Sequence, residues 1–258
     1  MDHPSRSHLI LIPSYNTGGR VLQTVWDARQ IWQPVWVVVD GSTDGTLEAL
    51  QALARDDPQV RVLSLPRNQG KGAAILHGLR AAAAAGFTHA MTMDADGQHP
   101  TDKIREFMTV SAANPESLIL GQPVFDASAP RVRVHGRKLS NWCADLETLG
   151  AGIGDSLYGF RVYPIAPLRG IMERQPWMRR FDFDAEAAVR LVWRGVRPIN
   201  LAAPVRYFRS EEGGVSHFCY LRDNALLTWM HTRLILEGLV RLPVLLGRRL
   251  SGSPPARG

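Results

Sequence analysis

A doubly wound α/β domain with a mostly parallel sheet is the fold class that the sequence predicts. Short runs of apolar, uncharged residues alternate along the first 93 residues with stretches of helical periodicity, a pattern typical of a parallel sheet covered by helices. Each of these runs is followed by a polar loop, as expected where ligands bind outside the carboxyl ends of parallel strands. The length of 258 residues suits one such domain with an appendage.

The first four strands are predicted from apolar runs at residues 8–12, 35–39, 60–65 and 89–93, and Pro13 ends the first of them. Helical spacing between these runs predicts helices at residues 21–32, 46–55 and 73–85. The pattern loosens after residue 117. From there the sequence indicates strands at residues 118–120, 159–163 and 204–208, and helices at residues 139–149 and 185–194.

The chain is predicted to divide into a main domain at residues 1–220, an amphipathic helical region at residues 221–250 and a disordered tail at residues 251–258. No stretch reaches the roughly 18 uncharged apolar residues that a membrane-spanning helix needs. The only apolar run near the N-terminus is too short for a signal peptide, and the two cysteines are far apart. We therefore expect a cytoplasmic protein in a reducing compartment.

The composition is that of a globular enzyme, with 45% apolar and 21% charged residues. The net charge of +6 indicates an anionic partner, for which nucleic acid, an anionic membrane surface or a phosphorylated small molecule would all serve. A nucleic-acid-binding protein would need aromatic residues interleaved with Lys and Arg, whereas here carboxylates follow the strands. Nucleic acid is therefore the remote alternative.

The strongest chemical signal is the alternation of Asp94, Asp96 and Gln98 directly after the fourth strand. Hard oxygen ligands on one edge suit Mg²⁺ or Mn²⁺, which keeps open positions for substrate phosphates. The alternatives are a calcium loop and a capping turn. An EF-hand has Gly at loop position six and Glu at position twelve, where this chain has His99 and Arg105. We therefore favour a metal that bridges a diphosphate.

Two earlier loops carry weaker signals. Asp40 opens a loop at residues 40–46, where it would accept hydrogen bonds from a nucleobase or ribose, although Asp, Gly, Ser and Thr are also the usual turn formers. Asn68 and Lys71 lie in a loop before a helix, where backbone amides and one ammonium group suit a phosphate. The spacing of this second loop is not that of a Walker loop.

In combination and in this order, four loops resemble the family 2 glycosyltransferases of the GT-A fold. The matching stretches are residues 13–16, 39–46, 68–72 and 94–98, and the resemblance covers roughly the first 220 residues. It implies a nucleotide-sugar donor site formed by Pro13, Tyr15, Asn16, Asp40, Asn68, Lys71, Asp94 and Asp96. It also implies a Mg²⁺ or Mn²⁺ cofactor held by Asp96, Gln98 and Asp94.

Within that family the second half resembles the polyprenyl-phosphate sugar synthases, through residues 137–141, 155–163, 183–186 and 214–216. This resemblance implies an acceptor site of Arg137, Arg161, Arg209 and Ser216, and an arginine fork suits phosphate oxygens. Two positions depart from the pattern. Val39 replaces the first of two consecutive aspartates, which leaves the nucleobase open, and His217 replaces a frequent lysine, which weakens the lipid-phosphate assignment.

Three acidic residues, Asp182, Asp184 and Glu186, alternate just before a predicted helix. If the acceptor is a hydroxyl, one of them would act as general base, whereas a phosphate acceptor is already anionic and needs none. The alternative role is capping of the helix N-terminus. Glu186 occupies the family position, so Asp96, Glu186 and Asp184 are the predicted catalytic residues.

The C-terminal region reads as an amphipathic helix. Its predicted apolar face is Leu226, Leu227, Met230, Leu234, Ile235 and Leu239. Arg233, Glu237 and Arg241 repeat every four residues as a polar stripe. With further arginines nearby, this helix is predicted to lie on an anionic membrane surface. The alternative is packing on the core or on the partner of a homodimer.

The resemblance therefore implies an inverting, metal-dependent hexosyltransferase of the bacterial cell envelope. Its expected acceptor is a polyprenyl phosphate at the inner face of the membrane, to which the enzyme would bind peripherally. The alternative acceptor is a hydroxyl of a lipid or secondary metabolite. The identity of the sugar, the nucleobase and the oligomeric state stay open at this point.

Overall fold

The computed structural model describes residues 3–124, 131–205 and 220–251. Its strands are β1 (His8–Ser14), β2 (Val35–Asp40), β3 (Val60–Leu65), β4 (His89–Thr92), β5 (Ser117–Val124), β6 (Arg161–Pro164) and β7 (Arg197–Pro204). They form one seven-stranded sheet in the order β3-β2-β1-β4-β6-β5-β7. Neighbouring strands are parallel except at β6, which runs antiparallel to β4 and β5. The predicted doubly wound, mostly parallel α/β fold is confirmed.

The helices are α1 (Arg20–Ile31), α2 (Thr46–Asp56), α3 (Lys71–Ala84), α4 (Ile104–Ala113), α5 (Arg131–Thr148), α6 (Ile165–Arg174), α7 (Phe183–Trp193) and α8 (Tyr220–Ser251). A short 3₁₀ helix, Thr101–Lys103, precedes α4. The helices cover both faces of the sheet. In β1, Leu9 and Leu11 pack into the core on the α3 face, while Ile10 and Ile12 pack into the core on the α1 face.

The second half of the chain differs from the sequence prediction in several elements. Helices α4 and α6 were not predicted. Helix α5 begins at Arg131 rather than at the predicted residue 139, because arginine is a good helix former. Strand β7 covers residues 197–204 instead of 204–208, of which residues 206–208 lie outside the described range. Since β7 is an edge strand, it tolerates Pro198, which hides the strand pattern.

The prediction for α8 was wrong about which face meets the protein. Met230 and Leu234, expected to insert into a membrane, are fully buried in the core. Arg233 and Glu237, expected to form a solvated stripe, contact α7 through ion pairs. The cause is that buried acid and base groups of α7 need these partners, which helical periodicity cannot reveal. Residues 252–258 of the predicted disordered tail lie outside the described residues.

The opposite face of α8 is apolar and exposed. Of the residues predicted to form the apolar face, Leu239 is the one with a strongly exposed side chain. Exposed large apolar side chains in this part of α8 are Leu236, Leu239, Val240, Val244 and Leu246. In the part of the chain that the structure describes, no helix has the length and apolarity needed to cross a membrane.

The sheet brings the predicted polar loops to one edge. Register pairs Ser14 with Val39 across β1 and β2, and Leu11 with Thr92 across β1 and β4, so these parallel strands end side by side. The loops that follow β1, β2, β3 and β4 therefore open at the same place, which we call the carboxyl edge.

Candidate active site

Asp40 joins the second and third loops of the carboxyl edge. Its buried carboxylate accepts hydrogen bonds from the amides of Gln69 and Gly70, at 2.8 and 2.7 Å, and from the Asn68 side chain at 3.2 Å. Burial raises the pKa of Asp40, although these amide donors oppose the shift. The predicted donor residues Asp40 and Asn68 are thus brought together, and Asp40 also shapes the loop before α3.

A glycine permits this close approach of the two loops. Gly41 has a φ of 66°, and a Cβ placed there would lie 2.3 Å from the carbonyl carbon of Arg67. A side chain at residue 41 would therefore separate the loops and strain the backbone.

The first loop is tied to the second in the same way. Asn16 has a φ of 45°. Its backbone N–H donates to the Ser42 hydroxyl at 3.0 Å, and its side-chain oxygen accepts the backbone N–H of Thr43 at 2.8 Å. Pro13 and Tyr15 lie on either side of the end of β1 and are half-buried. The predicted donor residues of the first two loops therefore lie in one continuous surface.

Lys71 lies between two carboxylates, Asp94 after β4 and Asp184 in α7, with its Nζ 2.7 Å from each. We call these three residues the lysine cluster. Burial alone would lower the pKa of Lys71, but Asp184 and Asp94 together raise it above its usual value. Burial would likewise raise the pKa of Asp94, yet Lys71 and then His99 lower it to about 2. The lysine is therefore charged and the Asp94 charge is neutralised inside the protein.

Gly159 packs directly against the lysine cluster. A Cβ at this residue would lie 2.7 Å from Lys71 Nζ and 3.3 Å from Asp94 Oδ2. The carbonyl of Gly159 accepts a hydrogen bond of 2.8 Å from the buried Thr92 hydroxyl of β4. The role of Gly159 was missed from sequence, although the residue lies within a stretch that carried the family resemblance.

Asp96 is the acidic residue of the motif that the fold leaves without a counter-charge. It is half-buried, and no described cation forms an ion pair with it. Its Oδ1 accepts the Gln98 amide at 3.0 Å. Burial, followed by the negative charge of Asp94, raises the pKa of Asp96 to about 6. An incoming cation would relieve both effects.

His99 supports the loop at residues 94–98, which we call the aspartate loop. Its Nδ1 accepts the amide of Asp94 at 3.0 Å, and its ring packs edge-on against Tyr158, with centroids 4.9 Å apart. Burial lowers the pKa of His99 to about 4, so the ring is neutral near pH 7. His99 therefore adds no positive charge to the aspartate loop near pH 7, and the negative charge of Asp96 is left for ligands.

The donor set at this loop fits a hard divalent cation. Asp94 and Asp96 supply carboxylate oxygens and Gln98 an amide oxygen, the ligand types that Mg²⁺ and Mn²⁺ prefer. Within the described ranges, no group of three or more His, Cys, Asp or Glu residues has the geometry to hold a metal. Any further ligands of a cation at this loop would be other oxygen donors, such as substrate phosphates.

Arg137 and Arg161, the predicted acceptor residues that the structure describes, both contact Asp155 but differ in burial. Arg137 is half-buried and pairs with Asp155 at 2.7 Å, and its guanidinium lies over the Tyr158 ring. Arg161 is fully buried and donates to the backbone carbonyls of Asp155 and Tyr158, among others, at 3.0 and 2.6 Å. Direct contact between Arg161 and an acceptor phosphate does not fit this burial. Arg209 and Ser216 lie outside the described residues.

Glu186 does not fit the predicted role of general base. Its fully buried carboxylate is bound by Arg190 at 2.6 Å and by Arg233 at 2.6 and 2.9 Å. Both oxygens are thus neutralised by arginines, and neither reaches solvent. Asp182 instead accepts the amides of Met178 and Arg180 and shapes the loop before α7. Asp184 is the predicted base that lies at the carboxyl edge, within the lysine cluster.

The loop that carries Gly159 is fixed from behind by α5. Asn141 Oδ1 accepts both the amide and the hydroxyl of Ser156 at 2.8 Å. Ser156 Oγ lies 2.9 Å from Ser140 Oγ, which in turn lies 2.9 Å from His231 Nε2 of α8. Sequence reasoning missed this polar chain, and no local pattern marks it, because its members come from three separate segments.

Comparison with known proteins agrees with this geometry. A sequence model described as glycosyl transferase family 2 matches residues 9–169. The chain is 29% identical to a polyprenol monophosphomannose synthase of Mycolicibacterium smegmatis, over 75% of this chain and 73% of that protein. It is 28% identical to a dolichyl-phosphate beta-glucosyltransferase of Trichomonas vaginalis, over 69% of this chain but only 58% of that protein. It spans only 31% of a further relative from Bacillus subtilis.

The fold also matches solved structures. A glucosyl-3-phosphoglycerate synthase from Mycobacterium tuberculosis, crystallised with Mn²⁺, UDP-glucose and phosphoglyceric acid, aligns with a TM-score of 0.59. The alignment covers 91% of this chain and 79% of that one, at 17% identity. At this level of identity the match is a likeness of fold.

Proposed function

This chain belongs to glycosyl transferase family 2, and from that premise we propose that it transfers a sugar from a nucleotide-diphosphate donor to a polyprenyl phosphate, with inversion. The observation that carries the proposal is the half-buried Asp96 carboxylate, which lies beside the lysine cluster and forms no ion pair with a described cation. Relatives named for polyprenol or dolichyl phosphate support the choice of acceptor.

On the donor side, the surface formed by the first three loops would hold the nucleoside. Asp96, Asp94 and Gln98 would hold Mg²⁺ or Mn²⁺, which as a Lewis acid neutralises charge on a leaving diphosphate. Lys71 keeps Asp94 in place and ionised, and His99 fixes the backbone of the same loop. These residues bind and orient the donor, and they leave the sugar carbon open to attack from the acceptor side.

On the acceptor side, the buried state of Glu186 favours a phosphate over a hydroxyl. A phosphate oxygen is already anionic and attacks without a base. Asp184 is the acidic residue best located for a base, but its Oδ2 is bound to Lys71, while its buried Oδ1 has no hydrogen-bond partner. Arg137 is the described arginine that we propose positions the acceptor. Arg209 and Ser216 stay proposals from the family pattern.

An exposed apolar surface supports a peripheral location on the membrane. Leu139, Trp142 and Leu146 follow one another on one side of α5, and they are 64%, 61% and 48% exposed. Helix α8 packs against α5 and adds its own exposed apolar face. Together with the net charge of +6, these faces would bind an anionic inner leaflet. A homodimer through the same surface is the competing outcome, and sedimentation of the protein without lipid would reveal it.

The test of the reaction uses radiolabelled UDP- and GDP-sugars with Mn²⁺ and two matched acceptors, a polyprenyl phosphate and the same polyprenol without phosphate. We expect label to enter the organic phase only with the phosphate, and only with wild-type protein, with Asp96→Asn as the background control. Transfer to the alcohol alone would favour the hydroxyl alternative and Asp184 as base. Transfer to neither, for every donor, would contradict the proposal.

A further inference from the structure

A second charged site lies away from the carboxyl edge, in a cavity of about 210 Å³ between α6, α7 and α8. Its walls carry four arginines: Arg174 in the last turn of α6, Arg190 and Arg194 at the end of α7, and Arg241 of α8. Ile171 and Trp193 supply apolar surface. The lining includes no residue of the lysine cluster or the aspartate loop.

Positive charge exceeds negative charge around this cavity. Arg190 and Arg241 share Glu237, at 2.7 and 3.0 Å. Arg190 also shares Glu186 with Arg233, which lies behind the cavity. Glu186 and Glu237 are therefore paired with three arginines, and Arg174 and Arg194 add two further positive charges.

Arg174 and Arg194 are the two arginines left over. Neither forms an ion pair with any acid among residues 3–124, 131–205 and 220–251. Burial lowers the pKa of Arg194, and the nearby charges of Arg174, Arg241 and Arg190 lower it further. The carbonyl ends of α6 and α7 account for a cation at each terminus, but not for two that face each other across one cavity.

Trp193 positions two of the arginines, Arg190 and Arg241, on one side of the cavity. The guanidinium of Arg190 lies 5.5 Å from the centre of one of its rings and that of Arg241 lies 5.1 Å away. Both side chains are thereby held by the indole and by Glu237, so little conformational freedom is lost when a ligand binds. An anion would then complete the site by contact with the unpaired Arg174 and Arg194.

We propose that this cavity binds a phosphate group. Arginine guanidinium groups match phosphate oxygens in geometry and charge, and one phosphate would offset part of the positive charge that the two acids leave uncompensated. Val240 and Val244, one residue before Arg241 and three after it, are 82% and 57% exposed on α8. The adjacent apolar surface favours the headgroup of an anionic phospholipid as the source of the phosphate. The site does not depend on the proposed reaction.

The test compares two double variants that remove the same charge. Arg174→Gln with Arg194→Gln removes the unpaired arginines of the cavity. Arg55→Gln with Arg61→Gln is the control, since both are exposed and lie in α2 and β3, at the opposite end of the sheet. Each protein is floated with phosphatidylcholine vesicles and with vesicles that contain phosphatidylglycerol, and is titrated separately with glycerol 3-phosphate by calorimetry.

We expect wild type to bind the anionic vesicles, the cavity variant to bind them about tenfold more weakly, and the control to stay within about twofold of wild type. Glycerol 3-phosphate binding that is lost in the cavity variant, with vesicle binding unchanged, would assign the site to a free phosphate. Equal weakening of both variants would mean bulk charge alone, and no weakening in either assay would likewise overturn the proposal. Sugar transfer in detergent is a separate measurement, so failure here leaves the reaction untouched.

Discussion

The carboxyl edge and the layer between α7 and α8 use the same kinds of charge in opposite proportions. At the carboxyl edge, Lys71 pairs with Asp94 and Asp184, and Asp96 beside them forms no ion pair with a described cation. Between α7 and α8, Glu186 and Glu237 form ion pairs with Arg190, Arg233 and Arg241. We call these five residues the arginine layer. The first region has negative charge left for a cation from outside the chain, and the second has positive charge left for an anion. Under both proposals, a ligand binds the charge that internal pairing leaves over.

The largest effect that tests this comparison comes from Asp96→Asn. We expect transfer to fall on the order of 10³-fold, because the variant removes the charge that an external cation and diphosphate would use. The free energy of unfolding should not fall and should rise near pH 7, because burial and the charge of Asp94 disfavour the ionised Asp96 carboxylate. Initial rates and urea denaturation measure the two quantities. A clear loss of stability would mean that the fold uses this charge after all.

Glu186→Gln should have the reverse profile. Removing the charge of the fully buried Glu186 leaves Arg233 without its carboxylate and Arg190 with Glu237 alone, so the free energy of unfolding should fall by about 3 kcal/mol. Glu173→Gln is the matched control, because its pair with Arg80 is exposed and should contribute less than about 1 kcal/mol. Urea denaturation of both variants decides this. If Glu186→Gln keeps full stability and loses only activity, Glu186 is catalytic and our assignment to the arginine layer is wrong.

The same contrast explains what sequence could predict. Strands β1 to β4 and the loops after them follow from local rules, because apolar runs and turn residues are read within a few positions. Asp96 was correctly located at the carboxyl edge for that reason. Glu186 and Arg161 carry equally good family motifs, but each has a partner from a distant segment, Arg233 of α8 for Glu186 and the Asp184 carbonyl of α7 for Arg161, and no local pattern records those contacts. The face of α8 was mistaken for the same reason, since Arg233 and Glu237 look like solvent residues until α7 is placed beside them.

A smaller change, Gly159→Ala, tests whether the lysine cluster needs its present geometry. The added Cβ would lie 2.7 Å from Lys71 Nζ, so the lysine must move away from Asp94 or the loop must shift. We expect kcat to fall about tenfold through displaced site groups. Gly136→Ala is the control, because a Cβ there meets nothing within 4 Å. Equal kcat for the two variants would show that the cluster tolerates displacement.

The smallest expected effect concerns the polar chain that joins α8 to the loop of Gly159. Asn141 Oδ1 can only accept, so the Ser156 hydroxyl donates to it and accepts in turn from Ser140. Ser140 therefore accepts from His231, which fixes a proton on Nε2 of that ring. On its other side, His231 Nδ1 lies 2.8 Å from Glu147, so one further proton is shared by that pair. His231 and Ser140 therefore donate in the direction of the loop, and Ser156 of the loop donates back to Asn141 of α5.

Ser156→Ala interrupts this chain one contact before Asn141, and Ser111→Ala provides a matched comparison. Ser111 is also fully buried and hydrogen-bonded to a histidine, His8, at 3.1 Å, but His8 begins β1 at the end opposite the carboxyl edge. Each substitution should lower the free energy of unfolding by about 1 kcal/mol. Only Ser156→Ala should also lower kcat, by a few-fold, with donor affinity unchanged, because only its loop reaches the lysine cluster. If the two variants lose activity alike, or if neither does, the chain contributes to stability alone and α8 is not coupled to the site through it.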